Sequence, residues 1–222
     1  MRHINVQNKN VVRFPVCGLQ VAGIKMIIAR LRLLCAKPCF MDRCMDMDSG
    51  RFCFLADQYY EDFPDEYLMR NKEVVDGVLR DRPCFFVFQD SVTSEILWLV
   101  PISSNYAKYK ALYDKKVERY KKCNTIRFGE VLGKQAAFLI QNMCPVTKEY
   151  IREVYVDKNG VEIQVDGRIA QDVIANAREV LAITKRGAKI VFPDVNAIHK
   201  ALREQIAQHK KQFNSDDEAK TE

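Results

Sequence analysis

The sequence predicts an α+β fold in which short antiparallel strands bend strongly into a small barrel, with helices packed outside it. Three observations lead there. Two apolar runs, residues 83–89 and 96–102, flank the polar segment Asp90–Glu95, which reads as a hairpin connection. A second hairpin pattern surrounds Gly133-Lys134. Three further segments carry apolar residues at helical spacing, and one domain of mixed elements with short links is the simplest container for all of them.

Taken in order, residues 51–56 form the first strand candidate. Residues 57–76 read as a polar, aromatic loop or short helix containing Tyr59-Tyr60-Glu61-Asp62-Phe63-Pro64. After the first hairpin, residues 105–123 place Tyr106, Tyr109, Leu112, Tyr113, Val117 and Tyr120 on a helical stripe that Ser104 or Asn105 can cap. Residues 125–131 and 135–141 form the second hairpin. A helical turn is expected over 147–154 after Pro145, and a small hairpin over 155–165 turning at Lys158-Asn159-Gly160. Two helices follow, over 169–184 and 194–212, the second opened by Pro193-Asp194. The domain is expected to span 48–213, with a disordered acidic tail over 214–222.

Residues 1–47 differ from the rest, being Arg-, Cys- and Met-rich with weak periodicity. The expectation is an uncertain, poorly ordered leader translated from an upstream start, with Met45 or Met47 as the native beginning. The alternative is an amphipathic helix over 19–34. Residues 16–35 carry Lys25, Arg30 and Arg32, which excludes both an uninterrupted membrane span and a signal h-region.

The 222 residues carry a formal net charge of +6, unevenly placed. Between Lys108 and Lys122 stand seven cations, opposed only by Asp114 and Glu118. Of eight cysteines, only Cys35, Cys39 and Cys44 cluster, at a spacing that suits zinc poorly. Reduced thiols point to a cytoplasmic protein. No phosphate-binding glycine loop or dinucleotide fingerprint occurs, and with three histidines a paired-imidazole ribonuclease is disfavoured. No cofactor and no metal is expected.

What the residues do suit is RNA cleavage without a metal. The ribose 2′-hydroxyl attacks its own phosphate, leaving a 2′,3′-cyclic phosphate and a 5′-hydroxyl, and DNA lacks that nucleophile. Arg82 and Lys108 can stabilise charge on phosphorus. Ser103 and Ser104 can hydrogen-bond the phosphate or the 2′-hydroxyl, and a tyrosine or lysine can assist proton transfer. Lys110, Lys115, Lys116, Lys122 and Arg127 are candidate phosphate contacts, and Tyr59, Tyr60, Tyr106 and Tyr109 candidate aromatic partners for RNA. Each feature also has an ordinary structural role, as strand-entry charge, helix cap or solvated helix face.

The segments Phe54-Leu-Ala-Asp-Gln-Tyr-Tyr60, Arg82-Pro-Cys-Phe-Phe86, Trp98-Leu-Val-Pro-Ile-Ser-Ser104, Phe128-Gly-Glu-Val-Leu-Gly-Lys134, Gln141-Asn-Met143 and Ile190-Val-Phe-Pro-Asp194 occur in an order that resembles the toxins of type III toxin–antitoxin systems. These form the ToxN/AbiQ superfamily, and the likeness is greatest to its CptN-like branch. The resemblance implies an SH3-like barrel related to the MazF/Kid endoribonucleases and metal-independent cleavage of mRNA and of the antitoxin precursor. It also implies inhibition by a pseudoknot RNA antitoxin in an RNA-mediated hetero-oligomer, with neither DNA nor membrane as partner. It places Ser103-Ser104, Arg82 and Tyr59 or Tyr60 at the catalytic site; Tyr106 stands where relatives carry lysine, so either Lys108 or Tyr106 acts. The alternatives are a MazF-type interferase held by a protein antitoxin, or a non-catalytic RNA-binding module.

Overall fold

A computed structural model describes residues 49–75 and 77–218. The expectations for residues 1–47, including the cysteine cluster, lie outside the described residues.

The elements are β1 (Phe52–Leu55), α1 (Asp57–Asp62), β2 (Lys72–Val75), β3 (Val78–Asp81), β4 (Cys84–Gln89), β5 (Ile96–Ser103), α2 (Tyr106–Tyr120), β6 (Arg127–Val131), β7 (Lys134–Phe138), β8 (Cys144–Thr147), β9 (Ile151–Val154), α3 (Gly167–Lys185) and α4 (Val195–Glu218). Seven strands form one antiparallel sheet in the order β6-β7-β5-β4-β1-β9, with β8 also paired to β5. The strands β2 and β3 pair separately as a hairpin. The α+β class holds. Among the described residues the sheet is open rather than closed into a barrel.

The central strand organises the molecule. All eight residues of β5 are buried. One edge carries β4; the other is divided, with Ile96–Leu99 pairing β8 and Ile102–Ser103 pairing β7. Pro101 stands where the two ladders part. It has no N–H to donate, so a break between partners costs nothing there, and its carbonyl accepts from the Leu139 N–H at 3.0 Å.

The two-residue period of β4 and β5 creates two cores. Phe85, Val87, Trp98 and Val100 face one side and pack with Val173, Ala177, Val180 and Leu181 of α3. Cys84, Phe86, Leu97 and Leu99 face the other and pack with Val146, Ile198 and Leu202. Burying each such side chain contributes about 1.5–3 kcal/mol, which is why these runs carry no charge. Gly129 in β6 lets α3 lie close, since a Cβ there would stand 2.8 Å from Ile169 Cγ2 and 3.1 Å from Phe138 Cε2. Asp166 caps α3 by accepting from the Arg168 and Ile169 amides. Leu132 and Gly133, both at positive φ, make the tight two-residue turn between β6 and β7.

Three expectations need correction. Residues 147–154 are not a helical turn: they end β8, pass through a single 3-10 turn and form β9, because Ile151–Val154 finds a partner in β1. The end of the expected 57–76 loop instead forms β2, which pairs with β3 as a hairpin. The backbone of α4 remains helical to Glu218, into the tail expected to be disordered. Among the described residues no helix is long and apolar enough to cross a membrane.

Candidate functional site

The end of β5 delivers two hydroxyls to the surface. Ser103 is buried, and its Oγ accepts from the Asn105 N–H at 3.2 Å. Ser104 is exposed. Asn105 then caps α2, its side chain accepting from the Lys108 N–H at 3.2 Å. Lys108 is exposed in the first helical turn, which contains no acid, and its ammonium lies 5.4 Å from the Tyr109 ring centre. A helix start without a carboxylate favours anions.

Arg82 reaches the same place from the strand entry. Its side chain is 7% exposed; Nε donates to the Arg70 carbonyl at 3.0 Å and Nη1 to the Ile102 carbonyl at 2.9 Å. The guanidinium therefore ties the chain before β2 to the last turn of β5, one residue ahead of Ser103. Arg82, Ser103, Ser104, Lys108 and Tyr109 all line one open groove of about 600 Å³.

The other expected residues divide. Tyr60 lines an adjoining hollow with Asp57, Glu61 and Phe63, which shares only Glu66, Leu68 and Arg70 with the groove. Burial, then the Cys84 and Cys144 thiols, raise its phenol far above the ordinary range, so it stays protonated. Tyr59 is a correction: fully buried, with its hydroxyl donating to the Pro145 carbonyl at 2.8 Å, it is a core residue with no face for RNA. Tyr109 is also buried, and Tyr106 is half-buried edge-on against Phe128.

Of the cations, Lys115 is exposed. Lys110 pairs with Asp114 at 2.5 Å and Lys122 with Glu179 at 2.9 Å, surface pairs that contribute little and open readily to a competing phosphate. Lys116 is half-buried, donating to Thr125 Oγ1 at 2.9 Å and Gln141 Oε1 at 2.7 Å, and burial lowers its pKa. Arg127 is the second correction. It pairs with Asp172 at 2.7 Å, donates to Asn176 Oδ1 at 2.5 Å and to the Cys123 and Ile126 carbonyls, and so clamps α3 to β6 rather than facing RNA.

Sequence reasoning passed over Arg70, Tyr67, Gln141, Asn142 and Phe192 as site residues, yet all five line the groove. They come from three segments far apart in the chain. The signal available was polarity in an apolar context: Gln141 and Asn142 interrupt a strongly apolar stretch yet are buried.

Among the described residues no group of three or more His, Cys, Asp or Glu side chains is placed to hold a metal ion. The groove instead offers hydroxyls, ammonium and guanidinium groups and a helix start, a set that can bind a phosphodiester and stabilise added negative charge on it. No family model matches the chain, and no curated protein matches it.

Proposed function

We propose that this chain is a metal-independent endoribonuclease of the type III toxin kind, cutting RNA by attack of the 2′-hydroxyl on the adjacent phosphate. The observation that carries the reading is the convergence of Arg82, Ser103, Ser104 and Lys108 on one groove, from positions spread over the end of one hairpin and the start of the next helix. In the reaction O2′ forms a bond to phosphorus as the bond to O5′ breaks. The 2′-hydroxyl proton leaves to solvent and O5′ gains one. Ser104, just ahead of the Asn105 cap, and Lys108, in the first turn of α2, line the groove together and would hold the non-bridging oxygens, with Lys108 assigned as the acid for the leaving oxygen. Arg82 adds positive field while positioning the end of β5. Tyr60 belongs to the neighbouring hollow and takes no part in proton transfer.

The bent, SH3-like barrel of the MazF/Kid enzymes is part of the proposal. What supports it is a central strand shared by two ladders; the open edges at β6 and β9 are where this chain departs from it. A pseudoknot RNA antitoxin, itself a product of the same cleavage, would occupy the groove as product and inhibitor together.

The test is purified protein with RNA in excess chelator, followed by analysis of the new ends. Cyclic phosphate and 5′-hydroxyl termini are expected, and Ser104→Ala and Lys108→Ala should each remove most of the rate without additivity in the double variant. Salt-sensitive RNA binding with no cut strand would instead identify a binding module.

A further inference from the structure

Two largely exposed aromatic rings, Tyr67 and Phe192, border the groove. Tyr67 is 56% exposed and Phe192 48% exposed, and they arrive from segments more than a hundred residues apart. Both are pinned through their backbones to consecutive residues of one turn. The Phe192 N–H donates to the Gln141 carbonyl at 2.8 Å, and Asn142 Nδ2 donates to the Tyr67 carbonyl at 3.2 Å. Gln141 Oε1 also accepts from Lys116, whose ammonium lies 5.9 Å from the Phe192 ring centre. Fixed backbones under the exposed rings remove the main-chain part of the ordering cost when a flat ligand stacks on them.

Tyr67 and Phe192 also line a second hollow of about 780 Å³, which shares them and Glu66 with the groove and is walled by Lys189, Thr184 and Asn196. The two spaces differ in charge. The groove is cationic around Arg70, Arg82 and Lys108, with Glu66 the acid on its wall. The hollow carries Asp65, Glu66 and Asp194 against Lys189. A phosphate suits the first space and is repelled from the second. Base edges, with amino groups that donate to carboxylates, suit the second.

We infer that Tyr67 and Phe192 are a stacking platform for unpaired bases, and that an RNA strand runs from Ser104 and Lys108 past these rings with its bases turned into the second hollow. This rests on the endoribonuclease reading and narrows its substrate to single-stranded RNA. The aromatic contacts expected from the sequence at Tyr59 and Tyr109 are buried, so these two rings take over that task. Base stacking on an aromatic side chain is independent of base identity, so the platform sets strandedness and register, while cut-site choice lies elsewhere.

The experiment uses the full chain and a single-stranded 2′-O-methyl RNA, which cannot be cut, carrying 2-aminopurine at successive positions. Stacking quenches the 2-aminopurine emission at one or two positions. Phe192→Leu and Tyr67→Leu should each abolish the quench and weaken binding by about tenfold, while Phe192→Trp keeps both. Circular dichroism confirms that each variant folds. Binding without a quench, equal affinity for double-stranded RNA, or Leu variants that bind like the parent would each overturn the platform and leave the nuclease reading standing; in the last case the rings would suit a protein partner. Absence of any RNA binding by the unaltered chain would overturn both.

Discussion

Replacing Arg82 by Met separates what this guanidinium does for the fold from what it would do for the proposed reaction. Met keeps an unbranched, largely apolar stem but is shorter and lacks the guanidinium, so the Arg70 and Ile102 carbonyls lose their donors at 3.0 and 2.9 Å. Hydrogen bonds to a charged group contribute about 1.5–3 kcal/mol each. Removing the cation also relieves its own desolvation cost, which offsets part of that loss. The net destabilisation is then about 2–4 kcal/mol. Urea unfolding followed by tryptophan fluorescence reads it directly, because Trp98 is the only tryptophan and is buried in β5. With a slope of about 1–3 kcal/mol per molar urea, the midpoint should fall by roughly 1–2 M. Arg82→Lys, able to serve one carbonyl, should fall between. RNA cleavage, measured well below the midpoint, should lose kcat more than KM, since the end of β5 shifts while the cationic wall of Lys108 remains. An unchanged midpoint accompanied by abolished cleavage would show that the guanidinium acts on the phosphate alone, and that its tie to β5 is idle.

Three further outcomes are expected. Gly129→Ala should cost about 1–3 kcal/mol through the clash with Ile169 and Phe138; adding Ile169→Ala, which removes the nearest methyl, should give a double variant less destabilised than the sum, measured by thermal melts. Tyr59→Phe should lower stability by about 1 kcal/mol with cleavage unchanged, and a loss of cleavage in a protein of normal melting temperature would return Tyr59 to the site. Asp90 should confer pH-dependent stability. Burial alone would raise its carboxyl, but hydrogen bonds from Trp98 and from the Val92 and Thr93 amides, with the Lys185 charge, hold it well below the usual carboxylate range. A carboxyl that ionises more readily folded than unfolded stabilises above its unfolded value of about 4 and loses that contribution as pH falls through its folded value. The stability gap between the parent and Asp90→Asn should therefore shrink as pH falls below about 4; a gap independent of pH from 5 down to 2 would contradict the ionised assignment.

The parts of the fold legible in the sequence are those where local pattern and burial agree. Residues 84–88 and 96–102 are apolar throughout because both faces of the sheet are covered there, and α2 announces itself by period and by Asn105. The strands β2, β3 and β9 were not legible for the opposite reason. They are short and largely exposed, and their charged residues are set by pairing partners that sequence order does not reveal. The site divides along the same line. Arg82, Ser103, Ser104 and Lys108 sit at element ends that pattern marks, so their meeting could be anticipated. Neighbours on the short helix α1 cannot be told apart by type, and only packing turns Tyr59 into the core and Tyr60 toward a rim. Lys116 and Arg127 looked like free surface charge until the fold brought Gln141 and Asp172 beside them.

The divided edge of β5 has a consequence for how the protein breathes. Its amides are held by β4 on one side and by β7 and β8 on the other, so no part of this strand can open while the sheet survives. Deuterium uptake at residues 97–103 should be governed by complete unfolding, and the β2–β3 hairpin, which lies outside the seven-stranded sheet, should exchange by far cheaper local excursions. Ser103 thus ends, and Ser104 directly follows, a strand expected to exchange slowly, beside a groove wall that takes Val74 from the hairpin expected to exchange fast. On the proposed function, entry of a large polyanion would proceed by deflecting the hairpin, with the serine hydroxyls held still.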